Sequence, residues 1–251
     1  MNALPVRVTV VDDHTLFAET MVIALCGEGM QSQCILPDPS APGTANLERA
    51  IIQSRPDIVL LDLDLGGACD GMQLVSSLCS RGVVVLVVTD SSEPARRGEA
   101  VFNGAATVIS KAVLFDVILD TVRRVGDGLP VMSREERQQL LDAWRESSAE
   151  EAEIRRRFEQ ITRREAEVLG LLMAGQQVNE IASSRFVSES TVRTQVKSVL
   201  AKLQVRSQLS AVGLAHRIGW SPPAGEDLGD VDGRGRGSAN ARSRSPWPVA
   251  G

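Results

Sequence analysis

Five side chains of this sequence could together manage a divalent cation or a phosphoryl group: the carboxylates of Asp12, Asp13 and Asp62, the hydroxyl of Thr89 and the ammonium of Lys111. Each sits at the end of a short apolar run. VRVTVV (6–11) leads into Asp12 and Asp13, IVLLD (58–62) ends on Asp62, VVVLVV (83–88) precedes Thr89, and TVIS (107–110) precedes Lys111. Carboxylates gathered within a few ångströms repel one another, and each is driven toward its neutral form unless a cation compensates. Hard oxygen donors of this kind suit Mg²⁺. One carboxylate of such a set can act as a nucleophile toward phosphorus, while a hydroxyl and an ammonium hold the equatorial oxygens as charge redistributes. Taken singly, Asp12 and Asp13 are turn formers and Lys111 is a surface lysine. The chemistry depends on the elements that bring them together.

Those elements are legible in the apolar pattern. Val-rich, nearly continuous runs separated by helix-length segments are the mark of parallel strands covered on both faces. Five strand-helix units within residues 1–128 predict an α/β doubly wound, five-stranded parallel sheet, in which ligands bind at the carboxyl ends of the strands. The second strand, near Gln33–Leu36, has the weakest pattern, because Pro37, Pro39 and Pro42 crowd its end. Residues 129–160 read as a helical linker, with one long helix from Ser133 to Gln160. Its apolar residues form two patches, Leu140, Leu141 and Trp144, then Ile154, Phe158 and Ile161, which suit a solvated spacer with docking points better than a coiled coil. Residues 161–219 carry only helix-period patterns. The stretch from 220 to 251 is too poor in apolar residues to offset its ordering entropy and reads as a disordered tail.

With 251 residues, 43% of them apolar, the chain can build two cores and is no disulfide-stapled miniature. The four cysteines contain no CxxC pair, and two histidines cannot complete a zinc set, so reduced, buried thiols in a cytoplasmic protein are expected. No apolar run is long enough to cross a bilayer, and no membrane partner is expected. Net charge is −5 overall, but residues 1–129 hold 9 basic against 16 acidic residues, whereas 161–219 hold 8 against 4. That polarity permits a nucleic-acid partner for the third segment alone.

In this order and at these separations, VVDDH, VLLDLDL, VVTD and Ser110-Lys111 make the first 6–127 residues resemble the receiver domain of two-component response regulators. The resemblance implies that Asp62 accepts a phosphoryl group from a sensor histidine kinase. It implies that Asp12, Asp13 and Asp62 hold Mg²⁺ with the backbone carbonyl of Asp64, while Thr89 and Lys111 bind the phosphoryl group. Three departures stand out, one of them the thin second strand. The loop Asp64-Leu65-Gly66-Gly67-Ala68-Cys69-Asp70-Gly71 differs from the family pattern, and Val108 occupies the place of the aromatic that commonly swings inward on phosphorylation.

In the third segment, Thr162 and Glu165 form a capping box that opens a helix with Val168, Leu169 and Leu172 inside, and Gly175 suits its stop. A short helix, Val178–Ser184, a turn anchored by Phe186 and Val187, and a helix capped by Ser188 and running to Leu203 make a helix-turn-helix. Val192, Val196, Val199, Leu200 and Leu203 form its buried stripe, leaving Arg193, Thr194, Gln195 and Lys197 for a groove of double-stranded DNA. Through TRREAEVL, NEIA, VSESTVRTQV and KLQV the segment resembles the LuxR-type helix-turn-helix of the NarL/FixJ class. That resemblance implies an all-α four-helix domain that reads promoter DNA and forms a homodimer through its last helix, Ser207–Ile218. Arg185 stands where the family has an apolar residue, so Phe186 is expected to take over that packing. A second reading keeps DNA binding and lets the receiver work without phosphorylation; a third makes the acidic site a hydrolase and leaves the helical segment unexplained.

Overall fold

A computed structural model describes residues 5–38, 40, 43–67 and 69–223, which divide between Arg156 and Arg157 into two compact units. In the first, β1 (Arg7–Val11), β2 (Gln31–Ile35), β3 (Ile58–Leu61), β4 (Val84–Thr89) and β5 (Thr107–Ser110) form one parallel sheet in the order β2-β1-β3-β4-β5. Helices α1 (Thr15–Gly27), α2 (Thr44–Gln53), α3 (Gly71–Ser80), α4 (Pro94–Phe102) and α5 (Phe115–Gly126) cover it. This is the doubly wound α/β architecture expected from the apolar runs.

Alternate residues of each strand enter opposite cores. Val8, Val10, Ile58, Leu60, Leu86 and Val88 pack with Ala18, Met21 and Leu25 of α1 and Ile118 and Val122 of α5. Val11, Val59, Leu61, Val85 and Val87 face Ile51, Leu74, Leu78 and Val101 of α2, α3 and α4. A fully buried side chain of this size contributes about 1.5–3 kcal/mol, so both faces must be covered for the sheet to form. β2 pairs only with β1 and no residue of it is fully buried, which is why its apolar signal is faint. Pro39 and Pro42 lie outside the described residues.

A 26-residue helix, α6 (Arg134–Glu159), follows, and its first half packs on the first unit. Leu140 joins the α2–α4 core, and Trp144 stacks on Phe102 of α4 with ring centroids 3.8 Å apart. The first apolar patch of this helix is therefore a docking point, as its spacing suggested. The thiol expectation also needs correction: all four cysteines are free, but Cys26 is exposed and Cys34, Cys69 and Cys79 are only half-buried.

The second unit contains α7 (Arg163–Met173), α8 (Val178–Ser184), α9 (Glu189–Leu203) and α10 (Gln208–Arg217). Val168, Ile181, Ala182, Val192 and Val196 make its core. Trp220 and Pro222, assigned to the tail from composition, pack here: Trp220 lies 5.3 Å from the Phe158 ring and Pro222 covers Gly170. Residues 224–251 of that tail lie outside the described residues.

Candidate functional site

Parallel pairing sets the site's backbone. Asp62 follows β3 and its N–H donates to the Val11 carbonyl at 2.9 Å, while the Lys111 N–H donates to the Thr89 carbonyl at 3.0 Å. The four strand ends therefore share one edge. Lys111 Nζ lies 2.7 Å from Asp12 Oδ2 and 2.7 Å from Asp62 Oδ2, with all three side chains almost wholly buried. The ammonium also sits 5.1 Å above the Phe17 ring. Burial pushes the Asp62 carboxyl up from its ordinary pKa, and Lys111, which acts against this, does not fully offset it. Burial works to lower the Lys111 pKa, but its bonds to Asp12 and Asp62 outweigh that and hold it raised.

Asp13 stands at the mouth of the site beside His14, whose Nδ1 is 2.8 Å from Asp13 Oδ1 and 3.2 Å from Asp12 Oδ1. One ligand atom from each of Asp12, Asp13, His14 and Asp62 falls within 4.8 Å of all the others. Three of these donors are carboxylate oxygens, a set that fits a hard divalent cation. The Asp64 side chain is not in this group. It turns to Arg96 of α4 at 2.5 Å, while its backbone N–H donates to Asp62 Oδ1 at 3.2 Å. Thr89 is fully buried and its hydroxyl accepts from the Ser91 N–H at 3.2 Å.

The divergent loop is shaped by glycines. Gly66 and Gly67 have φ of 61° and 72°, in the left-handed region that favours glycine, and a Cβ on Gly66 would stand 3.1 Å from Asp13 Oδ2. Asp70 then caps α3, its Oδ1 accepting from the Met72 N–H at 2.9 Å. Ala68 lies outside the described residues. Val108 is buried in β5, so no aromatic swings at that position.

In the second unit, Thr162 and Glu165 form the expected reciprocal cap. Glu165 goes further, accepting from Ser198 Oγ at 2.5 Å and Lys202 Nζ at 2.6 Å on α9, so one carboxylate ties α7 to α9. Its pKa is lowered to about 2: burial opposes ionisation, but the donors Lys202, Ser198 and Thr162 prevail. Ser188 caps α9 by accepting from the Thr191 N–H at 3.2 Å. Arg193, Thr194 and Lys197 are exposed and Gln195 is half-buried. Arg193 is held by Glu189 at 2.8 Å and the Thr194 hydroxyl donates to the Ser190 carbonyl at 2.9 Å.

One expectation fails here. Phe186 is no anchor: it is 96% exposed, at φ 54° in the turn before α9. Arg185 needs no apolar substitute, because its guanidinium pairs with Glu167 of α7 at 2.5 Å. Sequence reasoning also passed over His14, visible beside Asp12 and Asp13, and over Arg96, whose approach to Asp64 from 32 residues away leaves no local signal.

An α/β module with an acidic edge, joined to a helix-turn-helix module, defines the class of protein. The family model for luxR-type bacterial regulatory proteins matches residues 159–215, and that for the response regulator receiver domain matches residues 8–123. The protein named Probable transcriptional regulatory protein NarL of Mycobacterium tuberculosis is 32% identical over 214 residues, covering 84% of this chain and 94% of its own. Transcriptional regulatory protein LnrK of Bacillus subtilis is 28% identical over 222 residues, covering 86% and 99%. The solved receiver domain of NarL from Mycobacterium tuberculosis is 30% identical, covers 50% of this chain and 99% of its own, and gives a TM-score of 0.43. The chain belongs to the two-component response regulators of the NarL/FixJ class, which are transcriptional regulators and not enzymes. Among the described residues no helix is long and apolar enough to cross a membrane.

Proposed function

We propose that this chain is a cytoplasmic transcription regulator in which a receiver (1–128) is phosphorylated at Asp62 and a reader (161–219) binds promoter DNA as a homodimer, with residues 129–160 linking them. The observation that carries the reading is the Lys111 ammonium held 2.7 Å from both Asp12 and Asp62, which leaves two buried carboxylates to share one cation. In the transfer, an Asp62 oxygen attacks the phosphorus of a phosphohistidine on a sensor histidine kinase. The P–O bond forms as the P–N bond breaks, and the electron pair of that bond returns to the imidazole. Lys111 keeps its bond to Asp12 and passes its second one from Asp62 Oδ2 to a phosphoryl oxygen. Thr89 turns its hydroxyl from Ser91 to a second phosphoryl oxygen. Asp12, Asp13 and Asp62, with the Asp64 carbonyl, would hold Mg²⁺, which when bound supplies the positive charge that lets so many anionic oxygens meet.

On the reader, α9 supplies the exposed Arg193, suited to bidentate contact with guanine, and the half-buried Gln195, suited to adenine. Thr194 and Lys197, both exposed, suit contacts to phosphates. Leu209 on α10 is 81% exposed, and a Cβ on Gly213, one turn on, would meet no atom within 4 Å. That apolar, low-relief face supports self-association through α10, so that two readers meet a two-fold-related site.

Incubation of the full chain with acetyl phosphate and Mg²⁺ tests the receiver: intact mass is expected to rise by one phosphoryl group, and Asp62→Asn to abolish the gain. Selection from randomised duplexes with and without the phosphoryl donor tests the reader. No mass gain would overturn Asp62 as acceptor, and a duplex still enriched in that case would favour a receiver that works unphosphorylated.

A further inference from the structure

The turn between α8 and α9 presents an aromatic ring to solvent. Phe186 is 96% exposed and Val187, beside it, 40%. The backbone that carries them is closed: the Phe186 N–H donates to the Ser183 carbonyl at 3.3 Å and the Val187 N–H to the Ala182 carbonyl at 3.0 Å, which ends α8 with Phe186 in the left-handed region. Glycine or asparagine suits that position best, so the turn does not explain a bulky ring there. Nor does the core, which closes around Val168, Ile181 and Val192 while Arg185 meets Glu167. We propose that Phe186 is a base-reading residue, its ring packed on the 5-methyl group of a thymine in the major groove beside the bases that α9 reads. This rests on the second unit being a DNA reader.

Three observations favour DNA, and a thymine in particular, as what the ring meets. In a helix-turn-helix the N-terminal residues of the second helix approach the base edges, and Phe186 stands two residues before Ser188, the cap of α9. The ring therefore adjoins the end of α9 that enters the groove, in a segment (161–219) with 8 basic against 4 acidic residues. Second, the polar groups at this end are engaged with one another. Ser188 Oγ lies 2.8 Å from both Ser190 Oγ and Thr191 Oγ1, and Glu189 holds Arg193 at 2.8 Å. What the turn adds to the interface is apolar, and the thymine methyl is the apolar group that base pairs display in the major groove. Third, the two backbone bonds fix the turn before any contact is made, so little ordering entropy opposes the contact.

The full chain and the duplex it selects from a randomised pool supply the test. Phe186→Asn keeps a residue that tolerates the left-handed turn, and circular dichroism checks that the helices remain. Each thymine of the selected duplex is replaced in turn by deoxyuridine, which removes only the methyl group. For the parent, one such replacement in a half-site is expected to weaken binding about fourfold, the worth of one buried methyl. Phe186→Asn should bind the unaltered duplex more weakly than the parent does and be indifferent to that replacement. Its slope of affinity against salt should match the parent's, because no phosphate contact is lost. Replacements that leave the parent's affinity unchanged at every thymine would overturn the inference, as would a methyl effect that persists in Phe186→Asn. Unchanged affinity of Phe186→Asn for the selected duplex would overturn it as well and leave the ring to a protein surface. Failure to enrich any duplex would overturn the reader assignment, and this inference with it.

Discussion

Each unit of this protein holds a carboxylate against a lysine, and the two pairs behave in opposite ways. Glu165 accepts from Thr162 N and Oγ1, each at 2.8 Å, from Ser198 Oγ at 2.5 Å and from Lys202 Nζ at 2.6 Å. Four donors serve one charge, and its pKa falls to about 2. Asp62 has Lys111 at 2.7 Å and the Asp64 N–H at 3.2 Å, and it shares that lysine with Asp12. Burial then prevails and its pKa rises. What separates a structural carboxylate from one available for chemistry is therefore the supply of donors per charge, since a lysine at nearly the same distance is common to both. A satisfied group has nothing to gain from a cation or a phosphoryl group; an undersupplied one does.

The largest effect expected from this contrast is at Lys111. Lys111→Ala leaves Asp12 and Asp62 buried without a counter-charge, and removing one partner of a buried pair costs about 3–5 kcal/mol. Chemical denaturation of the full chain in chelator should show the first unit destabilised on this scale, with millimolar Mg²⁺ restoring much of the loss. A Lys111→Ala protein as stable as the parent in chelator would break the comparison at its first term. Next is Glu165→Gln. A carboxylate with a depressed folded pKa contributes stability that is present above its unfolded value, near 4.5, and is lost as pH falls toward 2. Discounted for partial solvent screening, this contribution is about 1–3 kcal/mol. The second unit should therefore lose stability steeply below pH 4.5 in the parent and much less steeply in Glu165→Gln, as followed by helical circular dichroism.

How far these sites could be read in advance follows from where their causes lie. Asp12, Asp62, Thr89 and Lys111 were legible because each terminates an apolar run, and parallel pairing leaves strand ends on one edge. The Thr162–Glu165 cap was legible because both partners lie within one turn. The other half of the Glu165 site was not: Ser198 and Lys202 arrive from α9, more than 30 residues away, and on their own helix they look like ordinary polar residues. The same holds for Arg96 at Asp64, and for Leu140 and Trp144, whose patch signalled docking without naming α4 as its seat. Apolar character alone marks Phe186 for burial, yet the structure exposes it. Its left-handed backbone in the turn carries the side chain outward, and Arg185 and Glu167 meet the neighbouring need with charge.

The smallest effect expected is at Asp62 itself, and its sign is the sharpest test. A carboxyl whose folded pKa lies above its unfolded value is an unfavourable contributor once ionised, and the penalty fades as pH falls through the folded pKa. Asp62→Asn removes that charge at nearly constant volume and leaves Lys111 paired with Asp12 alone. In chelator at neutral pH the substitution should be neutral or stabilising, opposite in direction to Glu165→Gln. The gap between parent and variant should narrow on acidification. Mg²⁺ should reverse the ranking, because a cation that binds the folded parent more tightly than the variant stabilises the parent more. A loss of stability in Asp62→Asn as large as that in Glu165→Gln would mean that the two lysine pairs are alike, and that donor supply does not set them apart.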